Sequence, residues 1–188
     1  MALVLIKEDG TGRVDANTYA EVADGDAYHE GHLYAGPWTG ATEENKGKAL
    51  VMATRLLDMQ FEFKGWRAHG EQALEWPRRS AECGGRSLLS AEWGVRGGEF
   101  GWEGDGVPRG VVAATCELAR ELLVQDRTAP APGEGVASTV TGAGETFSSV
   151  KYCKEDTRPV IPLPVQVMLA RYGDVRSARS GTVRVVRT

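Results

Sequence analysis

Nothing in this sequence approaches the roughly 18 consecutive apolar residues of a membrane span. The apolar run near the start, Ala2-Leu3-Val4-Leu5-Ile6, gives way at once to Lys7-Glu8-Asp9. It is too short for the hydrophobic region of a secretory signal, so the expectation is a soluble protein made in a cytoplasm, with no membrane partner. Cysteine is scarce: Cys83, Cys116 and Cys153 are odd in number, widely spaced and form no CxxC pair. Reduced thiols fit that pattern better than a disulfide framework, and Cys116 reads as a core residue. An excess of positive charge is missing too. The 22 Lys and Arg are outnumbered by 26 Asp and Glu, a net charge of −4. A strongly basic chain would announce nucleic acid as a partner. The acidic balance still permits DNA nearby, because a channel that passes DNA without gripping it must avoid a basic lining.

Catalytic signatures are absent as well. No GxxxxGK[ST] cradle exists, and Gly10-Thr11-Gly12 lacks a third glycine in a strand–helix setting. Ser80, Ser87 and Ser90 sit in no GxSxG elbow. His29 and His32 stand in Tyr28-His29-Glu30-Gly31-His32, which is not HExxH, and have no third ligand close in sequence. A polar helix end explains them, and His69 reads as exposed in a loop. These absences predict a chain that is not an enzyme, with no catalytic residue, no metal and no cofactor.

What is present is a hydrophobic fraction of 41% and 24 glycines, with a mean hydropathy of −0.31. The glycines fall mostly between periodic segments. Ala2 to Ile6 reads as a strand closed by Asp9-Gly10-Thr11-Gly12. Thr18 to Leu33 holds a first helix, with Val22, Ala23, Ala27 and Tyr28 near one face. Asp24 and Asp26 suit its first turn, and Gly25 weakens it by roughly 1 kcal/mol. The second helix is the clearest. Thr42 is its N-cap, Glu43 and Glu44 follow, and Ala49, Leu50, Ala53, Leu56 and Leu57 recur at offsets of three and four. Phe61 and Phe63 then alternate with charges, as in a short strand. A third helix starts near Pro108 and presents Val111, Val112, Thr115, Cys116, Leu118, Ala119, Leu122 and Leu123 to the second. Two β segments follow, Val136 to Val140 and Thr146 to Tyr152, as a hairpin near 136–153. A final helix carries Val165, Val167, Met168, Leu169 and Tyr172 and ends at Gly173. The expected architecture is mainly α (α+β): a small helical core with a β hairpin and an extended C-terminal tail, divided as residues 1–175 and 176–188.

Four features invite a function. Trp76 and Pro77, in Gln72-Ala73-Leu74-Glu75-Trp76-Pro77-Arg78, form an aromatic–proline anchor, and with Trp66 they read as core or subunit-contact positions. The Gly-rich loop 79–107 carries Trp93, Phe100 and Trp102, which fit contacts to a neighbour better than a solvated linker. Trp66, Trp76, Trp93 and Trp102 have Arg67, Arg78, Arg79 and Arg96 near them, and aromatic platforms beside arginines are how single-stranded bases are stacked. Protein contact explains the same aromatics and is favoured by the acidic charge. The tail after Asp174 contains Arg176, Arg179, Arg184 and Arg187 and no acid. Val183, Val185 and Val186 suit it better to a protein groove than to a membrane or a DNA backbone.

The order of these pieces carries a resemblance. Ala16-Asn17-Thr18-Tyr19-Ala20-Glu21-Val22-Ala23 leads into Asp26-Ala27-Tyr28. Lys48-Ala49-Leu50 opens Ala53-Thr54-Arg55-Leu56-Leu57-Asp58, followed by Lys64-Gly65-Trp66 and then Gln72 to Arg78. Val107-Pro108 opens the helix with Ala114-Thr115-Cys116-Glu117-Leu118-Ala119, and Val150-Lys151-Tyr152 precedes the last helix. This order resembles the tailed-phage head–tail connector (adaptor) family, often labelled DnaT-like ssDNA-binding protein. The resemblance covers most of the chain, and its Gly-rich loop is longer than the family's. It implies a homo-oligomeric ring of about twelve copies, docked on the portal protein in the virion neck after assembly in the host cytoplasm. Such a ring extends the channel for packaged double-stranded DNA and offers a face to the next neck or tail protein. The tail, through Arg176, Arg179, Val183, Arg184, Val185, Val186 and Arg187, is expected to dock on the portal. The alternative is a single-stranded DNA-binding protein of a phage replication system.

Overall fold

A computed structural model describes residues 3–79, 106–130, 138–143, 146–151 and 158–176. Helices are α1 (Val22–Glu30), α2 (Gly36–Thr39), α3 (Glu43–Gln60), α4 (Arg109–Val124) and α5 (Leu163–Leu169). Strands are β1 (Phe61–Phe63), β2 (Trp66–Arg67), β3 (Arg78–Arg79), β4 (Ser138–Ala143), β5 (Thr146–Lys151) and β6 (Gly173–Val175). They pair as antiparallel ribbons β1–β6, β2–β3 and β4–β5. The fold is a small α+β one in which helices dominate.

The core lies where α3 and α4 pack together, with α1, α2 and α5 around α4. The Thr42 hydroxyl caps α3 by accepting the Asn45 N–H at 3.3 Å. The stripe Ala49, Leu50, Ala53, Leu56 and Leu57 is buried. Pro108 precedes α4, and Val111, Ala114, Cys116, Leu118 and Ala119 are buried along it. Phe61 and Phe63 point inward while Glu62 points out, which is the alternation of a half-buried strand.

The first helix departs from expectation. It is only nine residues long, and Ala23 and Ala27 are exposed. Gly25 and His29 form its buried face instead. The Trp38 indole of α2, fully buried, lies so close to Gly25 that a Cβ there would enter the van der Waals envelope of its Cζ2 atom. The indole cannot retreat, since its Nε1 donates to Asp26 at 2.8 Å and Lys46 Nζ sits 5.2 Å above the ring. Gly25→Ala should therefore destabilise the protein by about 1–2 kcal/mol despite alanine's helix propensity, because overpacking a rigid contact outweighs the propensity gain. Denaturant unfolding checks this, and a more stable variant would remove the packing role.

The N-terminal run forms no strand from Leu3 to Ile6. Its only β contact among the described residues is an isolated bridge, Lys7 to Thr18. The turn that follows wraps around a buried carboxylate: Glu8 Oε1 accepts N–H bonds from Gly10 and Gly12, and Oε2 accepts from Arg13, each at 2.9 Å. Strand β4 runs on through Ala143, past the expected turn at 141. The last helix starts earlier, at Leu163, and stops at Leu169. Gly173 is not its terminus but the first residue of β6, paired with Phe63. It lies so close to the Glu62 backbone that a Cβ would collide with it.

Candidate nucleic-acid interface

The chain leaves α3 in extended geometry at Phe61 and turns at Gly65, whose φ of 78° suits glycine. Trp66 and Arg67 follow as β2. The chain then loops through Gln72 to Pro77 and returns as β3, with Trp66 opposite Arg79 and Arg67 opposite Arg78. The same ribbon thus presents an aromatic ring and three arginines at adjacent positions.

The supporting loop is pinned from beneath. Gln72 is buried, donates to the carbonyls of Leu74 at 2.7 Å and Pro77 at 3.1 Å, and accepts from His69 N–H at 2.9 Å. Trp76 is fully buried, edge-on to Phe63 at 5.7 Å and to Tyr172 at 5.8 Å. The Trp76–Pro77 peptide is cis. The Trp76 N–H donates to the Tyr19 hydroxyl at 3.2 Å, which itself donates to Asp58 at 2.5 Å. The Glu75 N–H donates to the other Asp58 oxygen at 3.2 Å. Burial outweighs these hydrogen bonds and pushes the Asp58 carboxyl up to about 6. Burial, with the Asp58 charge beside it, also drives the Tyr19 hydroxyl well above its ordinary value.

Arg78 is the centre of this support. Its guanidinium donates to the carbonyls of Lys64 at 3.0 Å, Phe63 at 3.1 Å, Gly65 at 2.6 Å and Glu75 at 3.3 Å. It also pairs with the Glu75 carboxylate. With the fork engaged on every nitrogen and the side chain only 8% exposed, Arg78 has no donor left over for a phosphate. Arg67 lies 3.6 Å from the Glu75 carboxylate and stays partly exposed. Lys64 and Arg79 are exposed.

The expected anchors therefore separate. Trp76 and Pro77 belong to the core. Trp66 does not: it is 54% exposed, because β2 and β3 pair only with each other among the described strands. Trp93, Phe100 and Trp102 lie outside the described residues, as do Arg96 and the tail positions Arg179, Val183, Arg184, Val185, Val186 and Arg187. Arg176 is exposed, and its N–H donates to the Gln60 carbonyl at 2.7 Å.

The family described as "Putative DnaT-like ssDNA binding protein" matches residues 1–188. The chain belongs to that family. No curated protein and no solved structure matches it. The family's description speaks of single-stranded DNA and not of a portal, a neck or a ring. In this member of the DnaT-like family, the exposed aromatic and cationic side chains on and beside the β2–β3 ribbon are Trp66, Arg67, Arg79 and Lys64.

His29 and Cys116 sit in the core of the DnaT-like chain. His29 is buried and its Nε2 donates to the Cys116 carbonyl at 3.2 Å, with burial holding its pKa below the ordinary value. The buried Cys116 thiol is pushed up to about 12, which removes its nucleophilicity at neutral pH. Among the described residues no cluster of three or more His, Cys, Asp and Glu could hold a metal ion, and no helix is long and apolar enough to cross a membrane. A cleft of about 780 Å³ lies between the N-terminal segment, α1 and α4, with Lys7, Asp24, Tyr28, Arg109 and Val112 on its walls. Glu8 holds its turn, and Gln72 and Arg78 hold the loop and ribbon, without being distinguishable in sequence from solvated polar residues. A carboxylate is recognised as a cradle only when its backbone donors are brought to it.

Proposed function

We propose that this protein binds single-stranded nucleic acid through the β2–β3 ribbon. One observation carries the reading: an exposed Trp66 ring directly opposite Arg79 on a ribbon held rigid from beneath, in a chain whose family is described by single-stranded DNA. The indole offers a face on which a base stacks. Arg79, Arg67 and Lys64 supply cations for the flanking phosphates. Arg78 fixes the ribbon without touching the strand. With two or three phosphates engaged, the affinity should fall with salt on a logarithmic slope of about −2.

The test is a titration of the full chain against a labelled oligo-dT, read by anisotropy at several salt concentrations. Trp66→Ala should weaken binding about tenfold, as loss of a base–aromatic stack does. Its melting temperature should hardly move, since the ring is exposed. Absence of binding at low salt would sink the reading.

A second reading is supported by different features. The net charge is −4, and Leu33 and Tyr34 protrude 86% and 72% exposed at the turn after α1. Exposed apolar side chains in a chain of that charge suit protein contact over DNA retention. On this reading the chain is a connector ring subunit that docks on the portal in the virion neck and extends the DNA channel. Purified chain mixed with portal rings and imaged by cryo-electron microscopy would then show a stacked ring. Oligonucleotide binding without portal association leaves the first reading alone.

A further inference from the structure

A groove of about 510 Å³ runs between the end of α1 and α5, away from the ribbon. Its walls are Tyr28 and His32 on one side and Leu163, Val167 and Met168 on the other, and Glu117 of α4 lies at its floor. Leu163 and Val167 are 67% and 66% exposed. They are four residues apart and so share one face of α5, where they leave an apolar surface uncovered.

The floor is chemically incomplete. The Glu117 side chain is only 9% exposed. Its Oε1 accepts from Arg120 at 2.6 Å. Its Oε2 is buried and has no hydrogen-bond partner within 3.5 Å among the described residues, although the Tyr28 hydroxyl on the groove wall also interacts with this carboxylate. His32 Nε2 is 3.8 Å from Oε2, beyond hydrogen-bond reach. A carboxylate oxygen withheld from water and short of donors is costly. The groove thus calls for an occupant with an apolar side chain and one cationic donor.

The chain itself carries such a segment. Residues 177–188 contain Arg179, Arg184 and Arg187, no acid, and the run Val183-Arg184-Val185-Val186. In an extended segment Arg184 and Val186 share one face. The segment starts just after β6, which follows α5 directly. The groove runs along α5 from Leu163 to Met168, a helix only about 10 Å long. Twelve residues can span up to about 40 Å when extended. A tether that short gives the segment a high effective concentration at its own groove.

We propose that the α1–α5 groove binds the chain's own C-terminal segment, with Arg184 donating to Glu117 Oε2 and Val186 lying against Leu163 and Val167. This docking is independent of the nucleic-acid reading, and its test uses no nucleic acid. The full chain is prepared with the photo-crosslinker benzoylphenylalanine in place of Val186 and irradiated at low micromolar concentration. Peptide mapping should locate the crosslink within residues 28–32 or 163–168, in species of monomer mass. Val167→Asp changes an exposed residue and leaves the core intact, and it should cut that crosslink at least fivefold. Arg184→Gln should do the same. A crosslink elsewhere, one confined to species of dimer mass, or one indifferent to both substitutions would overturn the proposal.

Discussion

Trp76→Ala is expected to cost roughly 3–5 kcal/mol, the range for deleting a fully buried large aromatic. For a domain of this size that corresponds to a fall in melting temperature of roughly 6–20 °C. The indole is fully buried between Phe63 and Tyr172. Its removal leaves a cavity where β1, the end of α5 and the loop from Gln72 meet. Because Trp76 N–H donates to Tyr19, collapse there also loosens the Asp58 network beneath the ribbon. Oligonucleotide affinity should fall along with stability, whereas Trp66→Ala should lower affinity alone. Thermal and denaturant unfolding of both variants checks the contrast. A Trp76→Ala melt within a few degrees of the parent would show that the site collapses without cost.

The second large effect is on pH. The Asp58 carboxyl sits at about 6 in the folded chain against an ordinary 3.8. Burial is the main cause, and it outweighs the donated hydrogen bonds from Tyr19 and Glu75. The Glu75 charge adds to the upward shift and Arg67 opposes it. A group raised in this direction binds its proton more tightly when folded. Its stabilising contribution is complete below about pH 4 and is lost as pH rises through about 6. The full difference corresponds to roughly 2–3 kcal/mol. His29 acts in the opposite direction, since burial lowers its pKa and protonating it at acid pH costs stability. The diagnostic is therefore the difference between the parent and Asp58→Asn. Between pH 4 and 7 the parent should lose stability relative to the variant as pH rises. Parallel profiles would place no proton at Asp58.

Both effects arise in the segment that reading the sequence brings forward, yet the sequence distinguishes its parts poorly. Trp66 is followed by Arg67, and Trp76 is followed one residue later by Arg78. Local composition treats the two indoles alike, and both look like anchors. One is fully buried and the other 54% exposed, because Phe63 of β1, Tyr172 and Tyr19 surround Trp76, whereas β2 and β3 pair only with each other among the described strands. Arg78 and Arg79 are neighbours in sequence with opposite fates for the same reason. The side chain of Arg78 turns into a cage of carbonyls from residues 63, 64, 65 and 75, and that of Arg79 is left to solvent.

What the sequence determined by itself is the part governed by short-range physics. Thr42 ahead of Glu43 and Glu44, with the three-and-four spacing from Ala49 to Leu57, specifies α3. Pro108 ahead of Val111 to Leu123 specifies α4, and the alternation of Phe61, Glu62 and Phe63 specifies β1. These signals lie within a turn or two of helix, or a few residues of strand, and need no distant partner. The tertiary structure decided the rest. It turned α1 so that Gly25 and His29, rather than Ala23 and Ala27, face inward, because the Trp38 indole leaves room only for glycine. It added β6 to β1 across more than a hundred residues of chain, and it wrapped Asp9 to Arg13 around Glu8. It also left Glu117 Oε2 at the floor of a groove. Each of these depends on which distant groups arrive at a position, and that is set by the packing of the whole chain.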